Sequence, residues 1–181
     1  MLGIGEKFPS FSMDATVSIE KDPKVAFKTI TDLDYPGKWK LYFFWPKDFT
    51  FVCPTEIAGF GKLNKQFQER DTQILGGSTD SEWVHHAWRT HHADLKNLPF
   101  PMLADVKRDL CEQLGILDPA SGVAQRATFL VDPKGIIQFV YVTAGAVGRS
   151  PEEVLRVLDA LQSDELCPCN WKKGEPTLQI A

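Results

Sequence analysis

The chain has 181 residues, a formal net charge of −4, 43% hydrophobic and 24% charged residues, the proportions of one ordinary globular domain with a short extension. Acids and bases are mixed without a basic block, which argues against nucleic-acid binding, and no run approaches the ~18 apolar residues of a membrane span. The start MLGIGEKFPS lacks the basic-then-apolar order of a secretory signal, and four cysteines are too few for a disulfide scaffold, so the expected compartment is the reducing cytoplasm.

The first ~35 residues have loop composition and little periodicity, which predicts an appended N-terminal hairpin. Leu41 to Trp45, rich in aromatics and ended by Pro46, reads as a buried strand. After Cys53 the period changes: Ile57, Phe60, Leu63 and Phe67 recur every three or four residues, an amphipathic helix ending near Asp71. TQILGGS reads as a second strand. SEWVHHAWRTHHADL reads as a helix with Trp83, Ala87 and Trp88 inward, LPFPML as extended chain, and VKRDLCEQLGIL as a short helix stopped at Gly115. ATFLVDPKGIIQFVYV is the clearest hairpin, two β-rich runs around Asp132-Pro133-Lys134-Gly135. Ser150, Pro151 and Glu153 form a capping-box signature before a helix whose apolar face is Val154, Leu155, Leu158 and Leu161. From Glu165 the prolines and the lack of a period predict an extended arm. The alternation predicts an α/β fold with a mixed central sheet flanked by helices, a domain over 1–164 and an arm over 165–181.

Cys53 in FTFVCPTEIAGF sits where a helix begins. Unpaired amide N–H groups and the positive end of the dipole favour the ionised, reactive sulfur there. Thr50, three residues earlier, comes to the same side if residues 50 to 53 already turn helically, and its hydroxyl is able to donate to sulfur and accept from a hydroperoxide. Pro46 is placed to shield the sulfur from water. An activated thiol with a donor and no evident base suits cleavage of a peroxide O–O bond, where pre-placed donors stabilise charge on oxygen. Arg126 is the best candidate for the accompanying cation. The alternative at Cys53 is an inert, buried cysteine.

Attack on a peroxide leaves a sulfenic acid that a second thiol condenses with. Cys167 and Cys169 in ELCPCNW supply such thiols on the arm, and their Cys-Pro-Cys spacing is too tight for a relaxed mutual disulfide. Half of a zinc site is the rival reading, off-pattern for C-x-C. Cys111 reads as a packed core thiol. The pairs His85/His86 and His91/His92 read as exposed or cap-region imidazoles rather than a metal patch or a cysteine-hydrolase partner.

FFWPKDFTFVCPTE, ATFLVDPKGIIQFV, GRSPEEVLRVLDALQ and ELCPCNW, in that order over Gly5 to Thr177, closely resemble the typical two-cysteine peroxiredoxins of the alkyl hydroperoxide reductase C type. The resemblance implies a thioredoxin-like fold and a thiol-dependent peroxidase without metal or haem, reducing hydrogen peroxide and organic hydroperoxides and protecting against oxidative stress. It implies that Cys53 is the peroxidatic cysteine, with Pro46, Thr50 and Arg126 completing its motif and Glu56 and Arg149 forming a supporting ion pair. Cys167 matches the resolving cysteine, which reaches Cys53 of the partner in a head-to-tail homodimer; relatives assemble five or six dimers into a ring. Cys169 is an addition found in a subgroup re-reduced by a small C-x-x-C adaptor, with a thioredoxin-like reductant as the other option; the resemblance implies that it either relays the disulfide to that reductant or substitutes for Cys167 as the resolving thiol. The Gly-Gly-Leu-Gly insert of overoxidation-sensitive relatives is missing and the tail ends TLQIA. The expectation is resistance to sulfinic acid formation, refuted if mass spectrometry finds ready Cys53 dioxidation at modest peroxide. A redox-independent holdase ring is the alternative function, separable because Cys53→Ser would spare it.

Overall fold

The computed structural model describes residues 1–179; the last two residues of the arm fall outside them. In chain order the elements are β1 (Ser12–Thr16), α1 (Pro23–Ala26), β2 (Phe27–Thr31), β3 (Trp39–Phe44), α2 (Cys53–Gln68), β4 (Thr72–Ser78), α3 (Glu82–His91), β5 (Met102–Ala104), α4 (Asp109–Leu114), β6 (Leu117–Asp118), β7 (Val123–Ala124), β8 (Arg126–Val131), β9 (Ile137–Thr143) and α5 (Pro151–Ser163). Seven strands form one sheet in the order β2-β1-β5-β4-β3-β8-β9, and β6 pairs with β7 separately. The central strands β3, β4 and β5 run parallel, while β1, β2, β8 and β9 join antiparallel. The sheet is therefore mixed, and the N-terminal hairpin extends it through β1 on β5.

Side chains alternate across a strand, and β3 shows why the sheet is covered on both faces. Leu41, Phe43 and Trp45 pack with Ile57, Phe60 and Phe67 of α2 and Val154 and Leu158 of α5. Tyr42 and Phe44 enter the opposite core with Phe8, Leu110, Leu114 and Phe129. Gly76 of β4 has no room for a larger residue, because a Cβ there would sit 2.8 Å from the rings of Phe43 and Trp45. The β8–β9 turn forms as the sequence indicates: Asp132 Oδ1 accepts from Lys134 N and Ile136 N, and Gly135 takes φ +84°.

Four local readings change. The helix after Cys53 stops at Gln68, three residues short of Asp71, where the chain turns with φ +48°. Only half of the capping box forms: Ser150 Oγ accepts from Glu153 N, but the Glu153 carboxylate binds Arg156 instead. Trp83 points out, 57% exposed against the Phe27 ring, because the Ser81 cap fixes α3 with His85, Trp88 and Arg89 inward. The arm is docked rather than extended. Trp171 is 5% exposed, Arg156 donates to its carbonyl, and Leu178 N donates to Leu166 O, closing the arm into a loop against α5.

Candidate active site

The β3–α2 connection, residues 45–52, is held from beneath. Trp45 Nε1 donates to Asp48 Oδ1 at 2.7 Å, and Asp48 N donates to Asp80 Oδ2 at 2.9 Å. His85 Nδ1 lies 2.7 Å from Asp48 Oδ2, and His85 Nε2 lies 3.0 Å from Leu103 O. Leu103 O is a carbonyl and only accepts, so Nε2 is the donor in that bond. Phe49 takes φ +55°, a costly left-handed value for an aromatic residue, and its ring packs near that of Trp88. His85 is thus a buried strut of the loop, which corrects its expected exposure. The 85, 88, 89 spacing was the available signal, since it puts His85 on the face of Trp88.

Cys53 is the first residue of α2 and is 1% exposed. Val52 caps the helix with helical dihedrals and no side-chain bond, and Pro54 occupies the first turn. Residues 50 to 53 do turn helically enough to bring Thr50 Oγ1 within 3.0 Å of Cys53 Sγ. The same hydroxyl lies 2.9 Å from Lys47 O, so its one proton has two acceptors to choose between.

Arg126 begins β8 beside the end of β3. Its Nη1 donates to Cys53 Sγ at 3.3 Å and to Glu56 Oε2 at 2.6 Å, and its Nε donates to Gly145 O at 2.7 Å. Glu56, one turn after Cys53, also accepts from Arg149: Nε and the backbone N reach Oε1, and Nη2 reaches Oε2. Arg149 Nη1 is anchored by Ala127 O and Thr128 Oγ1. Burial works to raise the Glu56 carboxyl, but the hydrogen bonds and charge of Arg149 and the charge of Arg126 outweigh it and hold Glu56 below the ordinary glutamate range. Two guanidinium groups against one carboxylate leave a surplus positive charge in a dry site. Negative charge arising on sulfur or on a peroxide oxygen is stabilised in such a place.

Pro46 follows β3 and lines a groove with Arg126. Cys167 and Cys169 are not brought to Cys53 within the chain. Both lie on the outer side of α5, where Cys167 Sγ is 3.4 Å from Ser163 Oγ. All four cysteines are free. Cys111 is 0% exposed in the second core, and burial, followed by the Asp105 carboxylate, pushes its thiol up. Among the described residues no group of three or more His, Cys, Asp or Glu side chains is placed to hold a metal ion.

The sequence profile of the AhpC/TSA family matches residues 4–140. Alkyl hydroperoxide reductase C of Mycolicibacterium smegmatis is 59% identical over 184 residues, covering 98% of this chain and 94% of the relative. The solved structure of Mycobacterium tuberculosis AhpC superposes with a TM-score of 0.88 at 57% identity, over 95% of this chain and 99% of that one. The reduced 2-Cys peroxiredoxin of Plasmodium vivax gives the same TM-score at 34% identity, over 96% and 91%. Fold, sequence and the donor-ringed cysteine agree: the chain belongs to the AhpC/TSA family of peroxiredoxins and is a thiol-dependent peroxidase.

Proposed function

We propose that Cys53 is the peroxidatic nucleophile toward hydrogen peroxide and organic hydroperoxides. The observation that carries this is the pair of donors on Sγ, Thr50 Oγ1 at 3.0 Å and Arg126 Nη1 at 3.3 Å. The Cys53 thiolate attacks the terminal peroxide oxygen. An S–O bond forms to give the sulfenic acid, the O–O bond breaks, its electron pair leaves on the alkoxide (on hydroxide when the substrate is hydrogen peroxide), and that anion takes a proton to become the alcohol or water. Thr50 turns its proton from Lys47 O to sulfur while its lone pairs accept from the incoming hydroperoxide. Arg126 neutralises charge on sulfur and on the departing oxygen. Glu56 and Arg149 are positioning residues that hold the Arg126 guanidinium against Sγ, and Pro46 walls the approach.

Residues 1–164 act as the peroxidase domain and 165–181 as an arm whose Cys167 condenses with the Cys53 sulfenic acid of a second copy, releasing water and forming an intersubunit disulfide. Cys169 relays that disulfide to a dithiol reductant, a C-x-x-C adaptor or a thioredoxin-like protein. The assembly is a ring of five or six homodimers. A cytoplasmic location suits four free cysteines.

The test is one equivalent of peroxide added to wild type and to Cys53→Ser, Cys167→Ser and Cys169→Ser, followed by non-reducing gels. A crosslinked dimer that requires Cys53 and one arm cysteine supports the scheme; a band indifferent to both positions overturns it.

A further inference from the structure

The proposal rests on the reading of Cys167 and Cys169 as the arm's working thiols and concerns what assists their sulfur chemistry. Both line a groove of about 610 Å³ between α5 and the arm, and Arg156 is the one cation among the described residues that line it. Arg156 is held from two sides. Its Nε and Nη2 donate to the Glu153 carboxylate at 2.7 and 2.8 Å, and its Nη1 donates to Trp171 O at 2.9 Å, so the guanidinium is fixed between α5 and the arm. The hydrogen bonds of Glu153 hold Arg156 above the ordinary arginine range against the effect of burial, and negative charge on Cys169 and then on Cys167 acts in the same direction as Glu153. Such an interaction is mutual: a cation that gains from a charged sulfur stabilises that sulfur. The two sulfurs are not placed alike. Cys167 Sγ lies 3.4 Å from Ser163 Oγ and 3.9 Å from Ala160 O, at the end of α5, where carbonyls disfavour negative charge. Cys169 is exposed. The other charges around the groove are Glu165, which accepts from Thr177 Oγ1, Asp159, paired with Arg70 and Lys173, and Glu175, which accepts from Lys172 N.

We infer that Arg156 is the counter-cation of the arm's sulfur chemistry, stabilising the negative charge that Cys169 carries when a dithiol reductant releases it. In that step one reductant sulfur is already joined to Cys169 in a mixed disulfide, and the reductant's second thiolate attacks the first. The reductant's own S–S bond forms, the mixed S–S bond breaks, and its electron pair leaves on Cys169 Sγ as a thiolate. The reductant is oxidised and the arm is reduced. A fixed guanidinium beside the leaving sulfur lowers the cost of that charge. Glu153 positions the cation and, being of opposite sign, also tempers its field. The arrangement repeats on the arm what surrounds Cys53, where the Arg126 guanidinium is likewise held by a carboxylate, that of Glu56.

The test alkylates the reduced protein with iodoacetamide, which reacts with the thiolate, and follows each cysteine by mass spectrometry across a pH series at low salt. At neutral pH Arg156→Gln is expected to slow Cys169 about two- to fivefold, the scale of a part-exposed charge pair, with the gap closing near pH ~10, above the ordinary cysteine range. Arg156→Lys keeps the charge and is expected to recover most of the rate. Glu153→Gln leaves the bond to Trp171 O in place, frees the cation from its carboxylate and is expected to speed Cys169 by a similar factor, an opposite sign that a merely structural role does not produce. Reduction of the peroxide-oxidised protein by dithiothreitol, the dithiol probe, is expected to follow the same order. Equal rates in the Gln and Lys variants of Arg156, or a Glu153→Gln variant no faster than wild type, overturn the electrostatic role, and an unaltered dithiothreitol rate overturns its part in reduction. Failure of the underlying reading has a different signature: peroxide would then yield no crosslink that depends on an arm cysteine, while the alkylation order would stand.

Discussion

Cys53 and Cys111 are both buried, at 1% and 0% exposure, and both lie in the first turn of a helix. Their surroundings differ in sign. At α4 the amide donors are already spent: Leu110 N and Cys111 N donate to the Asp105 carboxylate, which adds negative charge beside the thiol. At α2 no side chain caps the helix, and a hydroxyl and a guanidinium are turned toward the sulfur instead. Burial alone therefore does not separate a working thiol from a packed one. What separates them is whether the local donors are aimed at sulfur or consumed by a carboxylate.

The comparison is broken most directly by exchanging the two cysteines for serine. Cys53→Ser is expected to bring peroxide turnover to background while Cys111→Ser retains it, read by peroxide consumption with a dithiol reductant. Next comes the cation. Arg126→Ala is expected to lower kcat/KM by about 10² to 10³, the cost of removing one preorganised donor. Arg126→Lys recovers only part of this, since a point charge cannot bond Gly145 O, Glu56 and sulfur in one plane. Glu56→Gln is expected to destabilise the fold by ~3–5 kcal/mol at neutral pH, because it leaves two buried guanidinium groups without their carboxylate. A carboxyl held low in the folded chain contributes stability above its unfolded value of about 4.3 and loses it as pH falls through the folded value. The gap between variant and wild type in urea unfolding is therefore full at pH 7 and closes as the pH drops below about 4. The smallest effect sharpens the other side of the comparison. Asp105→Ala removes the carboxylate that accepts from Leu110 N and Cys111 N and is expected to cost ~1 kcal/mol, with faster alkylation of Cys111 by iodoacetamide and no change at Cys53.

Local signals carried much of this. The continuous apolar run of β3, the Asp-Pro-Lys-Gly turn and the apolar face of α5 are signals within a few residues, and they appear in the structure where they were expected. Thr50 beside Cys53 was legible for the same reason, as a contact three residues apart. Arg126 was nameable as a cation, but its reach to Cys53 spans 73 positions and depends on β8 lying next to β3. The Asp48–His85 strut was missed because it spans 37 positions and because α3 packs through His85, Trp88 and Arg89, a face that excludes Trp83. Periodicity groups residues on a helix without saying which of two adjacent stripes meets the sheet. The arm was misjudged on composition: prolines and a missing period concealed one indole that ties it down.

That indole has a practical consequence. Trp171 is enclosed against α5 with its N–H given to Glu175 O, so any excursion of the arm long enough to deliver a thiol elsewhere must transfer the ring into water. Emission from this residue would shift to longer wavelength as that happens. The chain thus carries an intrinsic optical gauge of its own detachment, readable in real time as the difference in emission between the native chain and Trp171→Phe.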